Sequence, residues 1–339
     1  MNMIKTSILI LIFSFSLTSC GKKSSQNTNN DIYVAGHGRQ STKFVAKVWK
    51  NGVESNLSDG TNDAQALGVV ATGSDVYVCG YESNGSKYVA KYWKNGTSNS
   101  LTDGSQNAVV YSAAINGSDV YFSGHESNGT VTVAKIWKNG VATSIGDTSV
   151  NSNATSLFIS GSDIYAAGYS TDASSSFLVA AQWKNGTLTT LTDGTHTAYA
   201  TSISVIGSDV YVLGYESNGT NFVTKIWKNG VAYTDLSDGT TNSYSNGTSV
   251  NGTNLYSLTN TANSLNIWKN SALFSTITGT VGQTANDRSI AVSGSDVYVV
   301  GKKTSGIIDT ATIWKNGSAT SLGSGTYNTH AASIFIYNH

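Results

Sequence analysis

Three glutamates, Glu82, Glu126 and Glu216, each open a Glu-Ser-Asn-Gly tetrad, and four aspartates, Asp59, Asp103, Asp193 and Asp238, each precede glycine in a Leu-Ser/Thr-Asp-Gly tetrad. Carboxylates at such intervals invite two chemistries: a facing pair could act as acid and base on a glycosidic bond, and a convergent set could hold calcium. Repetition weakens both, because near-identical copies offer no unique pair and no short loop carries the alternating oxygens of a calcium site. Asp before Gly is also ordinary tight-turn chemistry. A second candidate set is basic. His37, Arg39, Lys43, Arg288, Lys302, Lys303 and His330 stand at or beside the acidic tetrad's place in the outermost copies, where together they could hold an anionic group.

Other chemistries find no foothold. The five histidines are scattered, neither Cys nor His shows metal-ligand spacing, and Gly-x-Ser-x-Gly and phosphate-loop patterns are missing, so no cofactor and no metal are expected. With 20 Lys and Arg against 20 Asp and Glu the formal charge is zero, which gives no reason to expect a nucleic-acid partner.

What must position these residues is a repeat. Trp-Lys-Asn occurs at Trp49, Trp93, Trp137, Trp183, Trp227, Trp268 and Trp314, at intervals of 41 to 46 residues, and these are all the tryptophans. That period belongs to four-stranded blades rather than helical repeats. A second marker, Ser-Asp-Val-Tyr or a near relative, keeps the same phase through Asp31, Asp75, Asp119, Asp163, Asp209, Asn254 and Asp296. Charged residues make up 12% of the chain against a typical quarter, and Asn-Gly and Ser-Gly pairs between short apolar runs are strong hairpin signals. Each unit predicts four strands, exemplified by Tyr111–Ile115, Asp119–Gly124, Val131–Lys138 and a fourth after Asn139-Gly140, with both faces apolar enough to need cover. The fold class expected is all-β, a seven-bladed β-propeller of four-stranded blades.

Phase also predicts closure. The first unit begins at its second strand with Asp31, and the chain ends on a lone first strand, Ala332–Tyr337, so the C-terminal strand should complete the first blade. Pairing second and third strands across the Glu-Ser-Asn-Gly turn sets Asp75 opposite Lys94, and likewise in five sister units, with Asn254 and Lys269 as the exception. These are expected to be register devices. The tryptophans should stack at the blade base, with sugar platforms as the alternative. Cys79 shares its position with Ala35, Ser123 and Leu213 and is expected to be buried and inert.

The repeats resemble those of bacterial seven-bladed propellers over residues 31–339. They lack the Gly-His and Trp-Asp pairs of WD40 blades, the Gly-Gly of Kelch repeats and the Ser-x-Asp-x-Gly-x-Thr-Trp box of sialidase-like propellers, so no activity is implied. Ahead of them, Lys5, an apolar run from Ile8 to Leu17 and Leu17-Thr-Ser-Cys20-Gly21 resemble the signal peptide and lipobox of bacterial lipoproteins. That resemblance implies removal of the leader, lipid on Cys20, and Gly21 as a cue for the outer membrane. Residues 21–30 are polar and should form a flexible tether. The expectation is a monomeric, lipid-anchored envelope propeller that binds a protein or glycan partner, a binding or interaction scaffold rather than an enzyme. Its alternative is a secreted carbohydrate-active enzyme or a lectin. The expected ligand residues are His37, Arg39, Glu82, Glu126, Glu216, Arg288, Lys302 and His330.

Overall fold

The computed structural model describes residues 30–262, 264–278 and 289–339. Cys20, most of the tether and Arg288 lie outside them. Blade 2 sets the pattern, with strand A Ala64–Thr72 innermost, then B Asp75–Ser83, C Tyr88–Lys94 and the edge strand D Thr97–Ser100. Seven such antiparallel sheets form a ring in which each strand A touches the strands A of both neighbouring blades, including the last and first. Blade 1 draws its inner strand from the far end of the chain. Thr329–Asn338 pairs with Asn30–Gln40, followed by Lys43–Lys50 and Val53–Asn56.

The turn chemistry is uniform. Asn51, Asn95, Asn139, Asn185, Asn229, Asn270 and Asn316 all adopt φ between 49° and 53°, a left-handed conformation that Asn tolerates better than most residues. Each also clamps its own hairpin. The Asn95 side-chain oxygen accepts the Val76 N–H at 2.8 Å, while its amide donates to Asp75 at 2.9 Å. Asp75 then meets Lys94 at 2.7 Å, as Asp31, Asp119, Asp163, Asp209 and Asp296 meet their lysines at 2.7 to 2.8 Å. The register differs by two residues from the expected one. Tyr77 is the residue opposite Lys94 and Asp75 reaches the amine diagonally, because Asp75 sits at the other turn, that between strands A and B. The tyrosine shares the cation, with the Lys94 amine 5.3 Å from its ring centroid.

The tryptophans are wedges between blades. Trp137 of blade 3 packs with Cys79, Ala90 and Leu101 of blade 2, and Trp93 with Ala35 and Ala46 of blade 1. Trp49 closes the series by packing on Val300 and Ala311 of blade 7, where its indole N–H donates to the Leu322 carbonyl at 3.0 Å. Six of the seven are buried and cannot offer a face to a sugar; Trp268 is half-buried and donates to Thr259 Oγ1 at 3.0 Å. Cys79 is buried, as its repeat position predicted.

Candidate functional site at the upper channel mouth

A β-bulge in strand A shapes the upper end of the central channel. In blade 2 the register jumps between Ala66 and Gly68, and the same jump recurs in blades 1, 3, 4, 5 and 6. Opposite it, strand B carries a glycine. A Cβ on Gly80 would land on the carbonyl oxygen of Gln65, and one on Gly124 on that of Val109, so no larger residue fits without moving backbone. Blade 6 places Thr259 there and instead has Gly247 at φ 146° in the facing strand.

The residue after that glycine lies at the mouth end of strand B, where His37, Tyr81 and Lys302 enter the cavity wall. This position holds His37, Tyr81, His125, Tyr169, Tyr215, Asn260 and Lys302 in blades 1 to 7. Facing them on strand A are His330, Gln65, Val109, Asn153, Tyr199 and Tyr244, in blades 1 to 6. The bulged residues themselves include Ala332, Leu67, Tyr111 and Asn246. A cavity of about 370 Å³ opens here, walled by His37, His330, Lys302, Tyr81, Tyr88 and Tyr111 together with Gln65 and Leu67.

The rim is aromatic over most of its circumference. Tyr81 lies 4.5 Å from Tyr88, Tyr111 5.8 Å from His125, Tyr199 5.3 Å from Tyr169 and 5.1 Å from Tyr215, and Tyr215 5.2 Å from Tyr244. His37 stacks on His330 at 4.9 Å. Burial pushes the Tyr81 and Tyr215 hydroxyls well above their ordinary range and that of Tyr111 up to about 12, so all stay protonated as neutral donors. Burial, followed by the charges of His330 and Lys302, brings His37 down to about 3. Burial and then Lys302 lower His330.

The expected site residues divide. His37, Lys302 and His330 come together at the mouth, but Lys302 and His330 share a counter-ion that sequence reasoning missed. Asp309 lies 2.6 Å from the Lys302 amine and 3.3 Å from His330 Nε2, and accepts from Thr304 at 2.7 Å. Burial pushes its carboxyl up, but the Lys302 and Thr304 hydrogen bonds outweigh that and hold it below the usual range. Arg39 is exposed beside the Phe44 ring, 5.7 Å from its centroid, and Lys43 pairs with Asp63 at 3.4 Å.

Glu82, Glu126 and Glu216 do not sit in turns. They belong to the ends of strands B, where each is bound to a lysine of its own blade: Lys91, Lys135 and, at 2.8 Å, Lys225. Asp59, Asp103, Asp193 and Asp238 accept the N–H two residues on, at 2.8 to 3.0 Å, which is the turn role expected of them. Among the described residues no group of three His, Cys, Asp or Glu side chains is placed to hold a metal ion.

No family model matches this chain, and no curated protein does. Solved structures do match in shape. A puromycin-hydrolysing peptidase of Mycobacterium tuberculosis superposes with a TM-score of 0.54 at 10% identity over 86% of this chain and 53% of its own. TolB from Acinetobacter baumannii gives 0.47 at 11% identity over 89% of this chain and 65% of its own. The chain thus spans about half the length of the peptidase, and the likeness is one of fold.

Proposed function

We propose that this chain is a binding protein of the bacterial cell envelope, held there through lipid on Cys20, whose propeller presents its upper channel mouth to a protein or glycan ligand. One observation carries the reading: the position after the strand-B glycine, at the mouth end of that strand, is filled by Tyr or His in five of seven blades. Tyr and His pair an apolar body with a polar tip, the combination enriched where proteins grip ligands. The carboxylates nearest the rim serve as partners to lysines, which favours binding over acid–base catalysis at those residues.

The test uses full-length protein in detergent against extracts of envelope glycans and proteins. Retention of a ligand that Tyr81→Ala with Tyr215→Ala abolishes, while Glu82→Gln keeps it, is the expected outcome. Turnover of any extract component that a single substitution eliminates would overturn the proposal in favour of an enzyme. Anchoring has its own readout: Cys20→Ser is expected to move the protein from the membrane to the soluble fraction.

A further inference from the structure

We infer that the upper mouth receives an uncharged, polyhydroxylated ligand, the end of a neutral saccharide, with Asn246 and Asn260 accepting its hydroxyls and the tyrosines covering its flat faces. This rests on the binding function proposed above and narrows its ligand class.

Two buried amides point to a donor from outside. Asn246 is 3% exposed and Asn260 4%, and the side-chain oxygen of each has no hydrogen-bond partner among the described residues. Asn260 occupies the slot that His37, Tyr81 and Lys302 hold in the cavity wall, and Asn246 the bulge slot that Leu67, Tyr111 and Ala332 hold there. That equivalence puts both at the mouth end of blade 6, outside the cavity wall itself, which comes from blades 1, 2, 3 and 7. An unmet buried acceptor is costly, and a donating hydroxyl would relieve that cost. The Nδ1 of His37, also buried at the mouth, is a third unpartnered atom.

Charge points the same way. Among the described residues of the cavity wall, the cations that could hold an anion are engaged: Lys302 and His330 share Asp309, and His37 is held neutral by its surroundings. Apart from that ion pair, the wall offers neutral groups: phenol hydroxyls, the Gln65 amide, the His37 imidazole and aromatic faces. A pyranose ring carries apolar C–H faces between hydroxyl edges and matches both halves of that surface. A cavity of about 370 Å³ lies at the small end of ligand pockets, which suits a terminal sugar or two rather than a long chain.

Calorimetry on full-length protein in detergent tests this with cellobiose, maltose, N,N′-diacetylchitobiose and galactobiose against glucuronate, inorganic phosphate and a sulfated disaccharide. At least one neutral probe is expected to bind, with affinity changing less than about twofold between low and high salt, since no ion pair is screened. Asn260→Ala is expected to weaken it about five- to tenfold, one hydrogen bond's worth. Asn260→Tyr, the residue of three sister blades, should weaken the same probe, with the melting temperature read alongside to show that the fold is kept. Tyr81→Ala should act alike. Preference for an anionic probe with a steep salt dependence would overturn the inference, as would neutral binding indifferent to both Asn260 variants. If every probe fails while an envelope protein is captured and then lost in Tyr81→Ala, the saccharide idea falls and the binding function stands.

Discussion

Gly124 shows how one atom decides the geometry of the mouth. Its missing side chain lets strand B pass over the Val109 carbonyl, and Gly124→Ala would press a methyl group into that oxygen. We expect a loss of about 1–3 kcal/mol in urea unfolding, with the slope unchanged. His37 makes a second residue-scale prediction. Its folded value of about 3 lies below the ordinary 6.5, so the native state binds fewer protons, and stability is full above about pH 6.5 and falls as pH drops toward 3. His330 and His125, both lowered by burial, act in the same direction. Between pH 6.5 and 5, before carboxylates titrate, ΔG of unfolding should decline, by as much as about 1 kcal/mol per pH unit from His37 alone. His37→Tyr should flatten that decline. The glycine was visible in the repeat, but its consequence was not. Tyr, His, Asn and Lys succeed one another at the next position, so that slot has no motif, and only the bulge of the first six blades shows that their residues there share one direction.

At the scale of elements, hairpins were the most legible part of the chain because Asn-Gly turns are dictated locally. The left-handed φ of all seven Trp-Lys-Asn asparagines comes from that chemistry. The Asp–Lys ladder was found by type but displaced by two residues, since register depends on where a turn ends rather than on which charges attract. The same displacement hid the glutamates. Ending strand B at its glycine put Glu126 in a loop, whereas the strand continues to Ser127 and fixes Glu126 beside Lys135. Both side chains of that pair are only about a fifth exposed, at 18% and 21%. Glu126→Gln should therefore cost about 1–2 kcal/mol of stability and leave ligand affinity unchanged, which thermal unfolding and calorimetry would separate. The tryptophan wedges bear more. Trp137→Ala removes the contact of blade 3 with Ala90 and Leu101, and a loss of about 3–5 kcal/mol is expected from chemical denaturation.

For the whole molecule, phase alone foretold that the ends meet, and the paired strands Asn30–Gln40 and Thr329–Asn338 bear this out. Deleting residues 329–339 would leave blade 1 three-stranded, with a bare inner edge and two blade interfaces unfilled. The expected product aggregates, and size-exclusion chromatography would show it; addition of a peptide spanning 329–339 should return monomer. What no local pattern could foretell is the cavity at the channel mouth, because its walls come from four blades and exist only once the ring is shut.

The meeting of the two ends also fixes an orientation. Asn30 pairs with Asn338, and Tyr337 reaches the Gly73 turn at 2.9 Å, which places the first described residue on the side of the A–B turns. The tyrosine-lined mouth lies at the opposite end of the channel. In the proposed anchoring through Cys20 the chain would thus enter the propeller on the face opposite the mouth, leaving the mouth clear for a ligand.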